Sequence, residues 1–181
     1  MIMTNLRLSA HFTLAEFERS ATAARLGIDN TLDLHNPAHA AIIANLRNLC
    51  TEVLEPLRAF VNSSTPPQVG ERPLVISSGY RCPQLNLRVG GAYASQHTLG
   101  EAADIHLPRT AYTDWADNRA HTDMAVACRW LDFLEHNTDF DQLILETSNG
   151  KDFWLHVSCR QNRSRNRHQV IRHLRQQQSS H

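Results

Sequence analysis

Residues Phe140–Cys159 read FDQLILETSNGKDFWLHVSC, and this stretch decides what kind of fold the chain adopts. Two apolar runs, FDQLILE (Phe140–Glu146) and FWLHVSC (Phe153–Cys159), flank Asn149-Gly150. Asn-Gly closes a hairpin readily because both residues tolerate positive φ, so the stretch predicts two antiparallel strands. Working outward, Leu74-Val75-Ile76 reads as a buried strand ended at Gly79, and Ala102–Leu107 as another.

Helices surround these strands. Thr13 and Glu16 form a capping box, with Phe12 and Phe17 placed as a hydrophobic staple, and predict a helix running to about Arg25 and stopping at Gly27. Ile42, Ile43, Leu46, Leu49, Val53, Leu57 and Phe60 recur at helical spacing over Pro37–Val61, a run that Pro56 kinks or divides. Val126, Ala127, Trp130, Leu131 and Leu134 predict a further helix over Asp123–His136. The polar stretch SSTPPQVGERP (residues 63–73) is a surface loop, and Tyr80–Leu99 should be loop with short helical turns. The order of elements implies an α+β fold, with helices packed on a small, largely antiparallel sheet.

Three features in the second half fit together chemically. Residues 95–104 read S-x-H-x-x-G-x-A-x-D, with His97 and Asp104 at fixed spacing; His156 lies mid-strand in FWLHVS; and Ser78-Gly79-Tyr80-Arg81 stands where a strand meets a loop. Two imidazoles and a carboxylate suit Zn²⁺, and three protein ligands leave a position open for water, the mark of a catalytic site. Hydrolysis also needs an acid to take a proton and deliver it to the leaving amine. A hairpin centred near Asn149–Asp152 places Glu146 almost opposite His156, on the same face of the sheet, with Asp152 in reserve. A one-residue slip of register turns Glu146 away. His106 shares the face of Asp104 and reads as a neighbour rather than a ligand, and Cys82 and Cys159 read as packing residues.

These residues and the blocks FTLAEFERSATAARLGIDN, NLRNLCTEVLEPLR, ISSGYRCPQLNLRVGGAYASQHTLGEAADIH, FDQLILE and FWLHVS resemble the M15 family of zinc peptidases. The likeness is to its D-Ala-D-Ala carboxypeptidases and phage-type cell-wall endopeptidases. It implies one Zn²⁺ per chain on His97, Asp104 and His156, with Arg81 contacting the substrate or its developing oxyanion and Ser95 as a further substrate contact. It departs from several relatives at Phe153, where they carry the catalytic acid three residues before the last histidine; Glu146 therefore rests on the hairpin argument. The implied substrate is the peptidoglycan stem peptide, cut at D-Ala-D-Ala or inside an L-Ala-D-Glu or cross-bridge bond. The alternative is a zinc-containing wall- or tail-associated binding module without turnover. A purely structural zinc domain would need a fourth protein ligand such as His106 or Cys159.

Composition sets the limits. The 181 residues suit one domain, and 41% hydrophobic with 20% charged residues exclude wholesale disorder. Net charge is zero, yet all 18 acidic residues precede Arg160, while Arg160, Arg163, Arg165, Arg167, Arg172 and Arg175 follow Cys159. Residues 1–159 are therefore expected to form the peptidase domain and 160–181 a basic, flexible tail. No aromatics interleave the tail arginines, which argues against a specific nucleic-acid site. No segment predicts a membrane span, and MIMTNLRLSAHFTL lacks the apolar core of a secretory signal. The expectation is synthesis in the cytoplasm and action on the wall after release, as in phage or prophage lysis. Four scattered cysteines read as reduced thiols.

Overall fold

The computed structural model describes residues 6–63, 70–107, 109–113, 120–122, 124–147 and 152–172. Near the N-terminus, the Thr13 N–H and hydroxyl both donate to Glu16 Oε2 at 2.7 Å, and the rings of Phe12 and Phe17 meet edge to face. Helix α1 spans only Leu14–Glu18, and α2 takes up Ala21–Leu26 after a break at Arg19, whose backbone is extended. The single helix expected up to Arg25 is thus two. Ser20 restarts the second by accepting from the Ala23 N–H, and Gly27 ends it at φ +64°.

Helix α3 (Pro37–Leu49) passes through a π-helical segment, Cys50–Leu54, into α4 (Glu55–Ser63). Pro56 has no N–H to offer the carbonyl four residues back. The wider π turn, with Glu55 N–H bonded to Cys50 O, absorbs that missing rung without breaking the rod. Strand β1 (Val75–Ser78), helix α5 (Pro83–Arg88), a 3₁₀ turn (Gln96–Leu99) and strand β2 (Ala102–His106) follow. Next come the ribbon of β3 (Arg109–Thr113) and β4 (Ala120–Thr122), helix α6 (Met124–Asn137), and the hairpin strands β5 (Gln142–Thr147) and β6 (Phe153–Ser158). The expected Asn149-Gly150 turn lies outside the described residues. The β3–β4 ribbon carried no readable sequence signal.

The sheet has the order β1-β2-β6-β5-β7, where β7 is Gln169–Arg172. All pairs are antiparallel except β5 with β7. The α+β expectation therefore holds for the architecture. One face of the sheet (Ala103, Ile105, Leu143, Leu145, Leu155, Val157) packs on Leu46, Leu49, Val53 and Leu57 of the long rod and on Leu131 and Leu134 of α6. Helices thus seal one face only. The other face, carrying Asp104, Glu146, Trp154 and His156, is left to form a cavity.

After Cys159 the chain departs from the expected flexible tail. Residues 163–165 make a 3₁₀ turn, and β7 adds a parallel strand to the sheet. The cause is Asp141, whose side chain is wholly buried. It accepts from Arg160 Nε (3.1 Å), from Arg167 Nε and Nη2 (3.1 and 2.5 Å), and from the Arg167 backbone N–H (2.9 Å). Burial would raise this carboxyl, but the hydrogen bonds from Arg167 and Arg160 outweigh it and lower the pKa to about 2. The ordered sheet thus extends to Arg172, and only residues 173–181 of the expected tail fall outside the description. All four cysteines are free thiols.

Candidate metal centre

His97 stands on the 3₁₀ turn, Asp104 on β2 and His156 on β6. Direct pairing of Asp104 with His156 across the β2–β6 ladder puts both on the open face. His97 is brought over them by two glycines. Gly100, at φ +71°, ends the turn, and a Cβ there would meet Ile42 O at 2.6 Å, so the H-x-x-G spacing reflects backbone pressed against α3. Gly79 packs so tightly on α1 that a Cβ would lie 2.5 Å from Phe17 Cα. Its carbonyl accepts from His97 Nδ1 at 2.7 Å. A carbonyl can only accept, so Nδ1 carries the proton and Nε2 is left with a free lone pair facing the cluster.

The result is a tight triangle of ligand atoms. His97 Nε2 lies 3.3 Å from Asp104 Oδ1 and 3.3 Å from His156 Nδ1, which lies 2.9 Å from Asp104 Oδ1. Tetrahedral zinc with bonds of about 2.0–2.1 Å separates its ligand atoms by about 3.3–3.4 Å; the donor set suits that ion, both His97 separations match this spacing, and the His156–Asp104 separation, at 2.9 Å, is shorter. Among the described residues no fourth protein ligand joins the group. His106 is exposed, and the Cys159 thiol is engaged with the Asp139 carbonyl and the Asn48 amide.

The second carboxylate oxygen of Asp104 is tied separately: Arg81 Nη2 donates to Oδ2 at 2.7 Å, while Arg81 Nε donates to Ser78 Oγ. Burial would push the Asp104 carboxyl up, but the His156 and His97 imidazoles beside it prevail and hold it well below the usual carboxylate range. It stays an anion ready to bind a cation.

Glu146 pairs with Trp154, and Ile144 is the residue opposite His156. The expected register was thus two residues out. A shift of two preserves the face, so Glu146 still lines the same cavity of about 330 Å³ as Arg81, His97, Asp104 and His156. Trp154 and Ser77 also line it; Trp154 follows from alternation with His156, whereas Ser77 enters through a bulge in β1 that left no sequence mark. Asp152, the reserve acid, is not among the lining residues, and neither is Ser95, which caps the 3₁₀ turn and accepts from the Thr98 hydroxyl through its carbonyl.

Among the described residues no helix is long and apolar enough to cross a membrane. No curated protein matches the chain. Residues 10–138 match the family model described as Peptidase M15, a stretch that takes in Arg81, His97 and Asp104 and ends before Glu146 and His156. With most of its length matched, and with a cluster fit for the metal on which that family generally depends, the chain belongs to the peptidase M15 family.

Proposed function

We propose that this peptidase uses one zinc ion, held by His97, Asp104 and His156, to hydrolyse peptide bonds in bacterial peptidoglycan stem peptides. The bond is either the terminal D-Ala-D-Ala linkage or an internal L-Ala-D-Glu linkage. The observation that carries the reading is the convergence of three ligand atoms in a cavity that also holds Glu146 and Arg81.

When bound, zinc supplies Lewis acidity, polarising a carbonyl and making water nucleophilic near neutral pH. The remaining work falls to the chain. Gly79 fixes the His97 tautomer so that its free nitrogen faces the metal position. Arg81, held by Ser78 and Asp104, presents a fixed positive charge where the scissile carbonyl oxygen gains negative charge. Glu146 accepts the proton of the attacking water and delivers it to the departing amine, which cannot leave as an anion. A binding module without turnover has no use for an acid in this position, so Glu146 in the cavity favours the enzyme. The test is digestion of purified peptidoglycan by the zinc-loaded protein, with the fragments identified by mass. Release of D-alanine or of fragments with new L-alanyl termini supports the proposal, and an unchanged polymer refutes it.

A further inference from the structure

Two of the three candidate ligands stand on directly paired strands, Asp104 on β2 and His156 on β6, and the ladder fixes one against the other. His97 stands outside the sheet, on a 3₁₀ turn of four residues. Where it sits relative to the other two therefore depends on what holds the turn. Turns of this kind have poorer hydrogen-bond geometry than an α-helix, so contacts from outside count for more. The far end has them. The N–H groups of Gly100 and Glu101 close on the carbonyls of His97 and Gln96 at 3.3 and 3.0 Å, and the Cys159 N–H bonds the Glu101 carbonyl at 2.9 Å. At the near end the Ser95 side chain makes no capping hydrogen bond.

The side chain of Gln96, half-buried beside His97, holds the near end instead. Its amide nitrogen donates to Glu101 Oε2 at 3.2 Å, which ties the start of the turn to the residue just past its end. Its amide oxygen accepts from Arg167 Nη2 at 3.3 Å, across 71 residues of chain. Arg167 is itself firmly fixed. Its Nε and Nη2 rest on the wholly buried carboxylate of Asp141, and its backbone N–H bonds the same group. The Gln169 N–H then bonds the Asp141 carbonyl at 3.0 Å as β7 begins. A guanidinium carries five N–H donors in a rigid plane, so it can stay on Asp141 and still offer one to Gln96. Asp141 and Arg167 both lie beyond the stretch matched to the family model.

We propose that Arg167 is a positioning residue for the metal centre, holding the His97 turn through Gln96. The C-terminal segment then does more than extend the sheet. It carries the rigidity of a buried ion pair to the ligand that stands outside the strands. Metal affinity rises when ligands are held in place before the ion arrives, since less ordering is left for binding to impose. This rests on the zinc reading above.

The experiment titrates the full-length, zinc-free protein with zinc against a chromophoric chelator. Gln96→Met fills similar space without the amide and should weaken zinc binding by about fivefold, the worth of one ordinary hydrogen bond. The site stays filled when zinc is in excess. Gln96→Glu can still accept from Arg167 but no longer donates to Glu101, and should bind zinc nearly as wild type does. Adding Arg167→Lys to Gln96→Met should weaken binding no further, because both changes cut the same link. Wild-type affinity in Gln96→Met overturns the proposal. So does an equal loss in Gln96→Glu, which would assign the effect to Glu101, or a further loss in the double variant. The two Gln96 variants leave the Asp141 clasp whole and decide the matter if Arg167→Lys does not fold.

A second readout needs no zinc. Hydrogen exchange at the Gly100 and Glu101 amides, which close the turn, should be about fivefold faster in zinc-free Gln96→Met and unchanged in Gln96→Glu. Faster exchange in Gln96→Met upholds the hold on the turn even if no protein binds zinc, in which case the zinc reading alone fails. Zinc binding by wild type with exchange unchanged in Gln96→Met overturns the positioning role alone.

Discussion

Asp104 and Asp141 are both buried carboxylates held below their usual pKa, yet their surroundings differ in kind. Asp141 is saturated by two arginines and a backbone N–H, donors that stay protonated and have no lone pair to lend. Asp104 gives one oxygen to Arg81 and the other to two imidazoles whose nitrogens converge on it. The first arrangement can only hold structure together. The second can exchange its hydrogen bonds for a metal ion at little change in geometry. A buried acid facing titratable, lone-pair-bearing partners therefore marks chemistry, while one facing only guanidiniums marks a clasp.

Variants sharpen this contrast, starting with the largest effect. Glu146→Gln should lower peptide hydrolysis by roughly 10²–10⁴-fold, the usual worth of a general acid–base group, while zinc content stays unchanged. Cleavage of wall peptides near the parental rate would move the proton shuttle elsewhere. Arg81→Ala should cost roughly 10²–10³ in kcat, as expected for loss of a preorganised oxyanion donor. Near-normal turnover would reduce Arg81 to a support for Asp104.

At the clasp the readout is stability instead of rate. The Asp141 pKa of about 2, against an ordinary 3.8, means that the unfolded chain takes up this proton first as pH falls. Its contribution is complete above the ordinary value and disappears as pH drops through 2. The shift corresponds to on the order of 2 kcal/mol. Urea unfolding should show Asp141→Asn less stable at neutral pH, with the gap to wild type narrowing from pH 5 to pH 2. A gap independent of pH would deny the ionic clasp. Farther out, Arg172 pairs with exposed Asp132 and half-buried Glu135, and Arg172→Ala should change stability by no more than about 0.5 kcal/mol. A larger loss would mean that β7 depends on this pair as well as on Asp141.

The contrast also separates what was legible in the sequence from what was not. The hairpin strands, the capping box, the Gly27 stop and the cluster of His97, Asp104 and His156 were readable because each rests on local spacing or on a residue type with few other uses. The β5–β6 register was set by a turn whose length the dipeptide alone does not give, and it came out two residues away. The break at Arg19 has neither proline nor glycine to announce it; it is held from outside by Asn30. Strand β7, QVIR, is too short and polar to signal itself and forms because Asp141, distant in sequence, captures Arg167. Ser77 entered the site through a bulge, again a feature of pairing and not of composition.

The central claim is that the Asp104 cluster is a metal site and the Asp141 cluster is not. Elemental analysis of protein purified without chelator tests it directly. Wild type and Asp141→Asn should each carry about one zinc per chain, and the His97→Ala, His156→Ala double variant should carry none. Full zinc occupancy in the double variant would contradict the account.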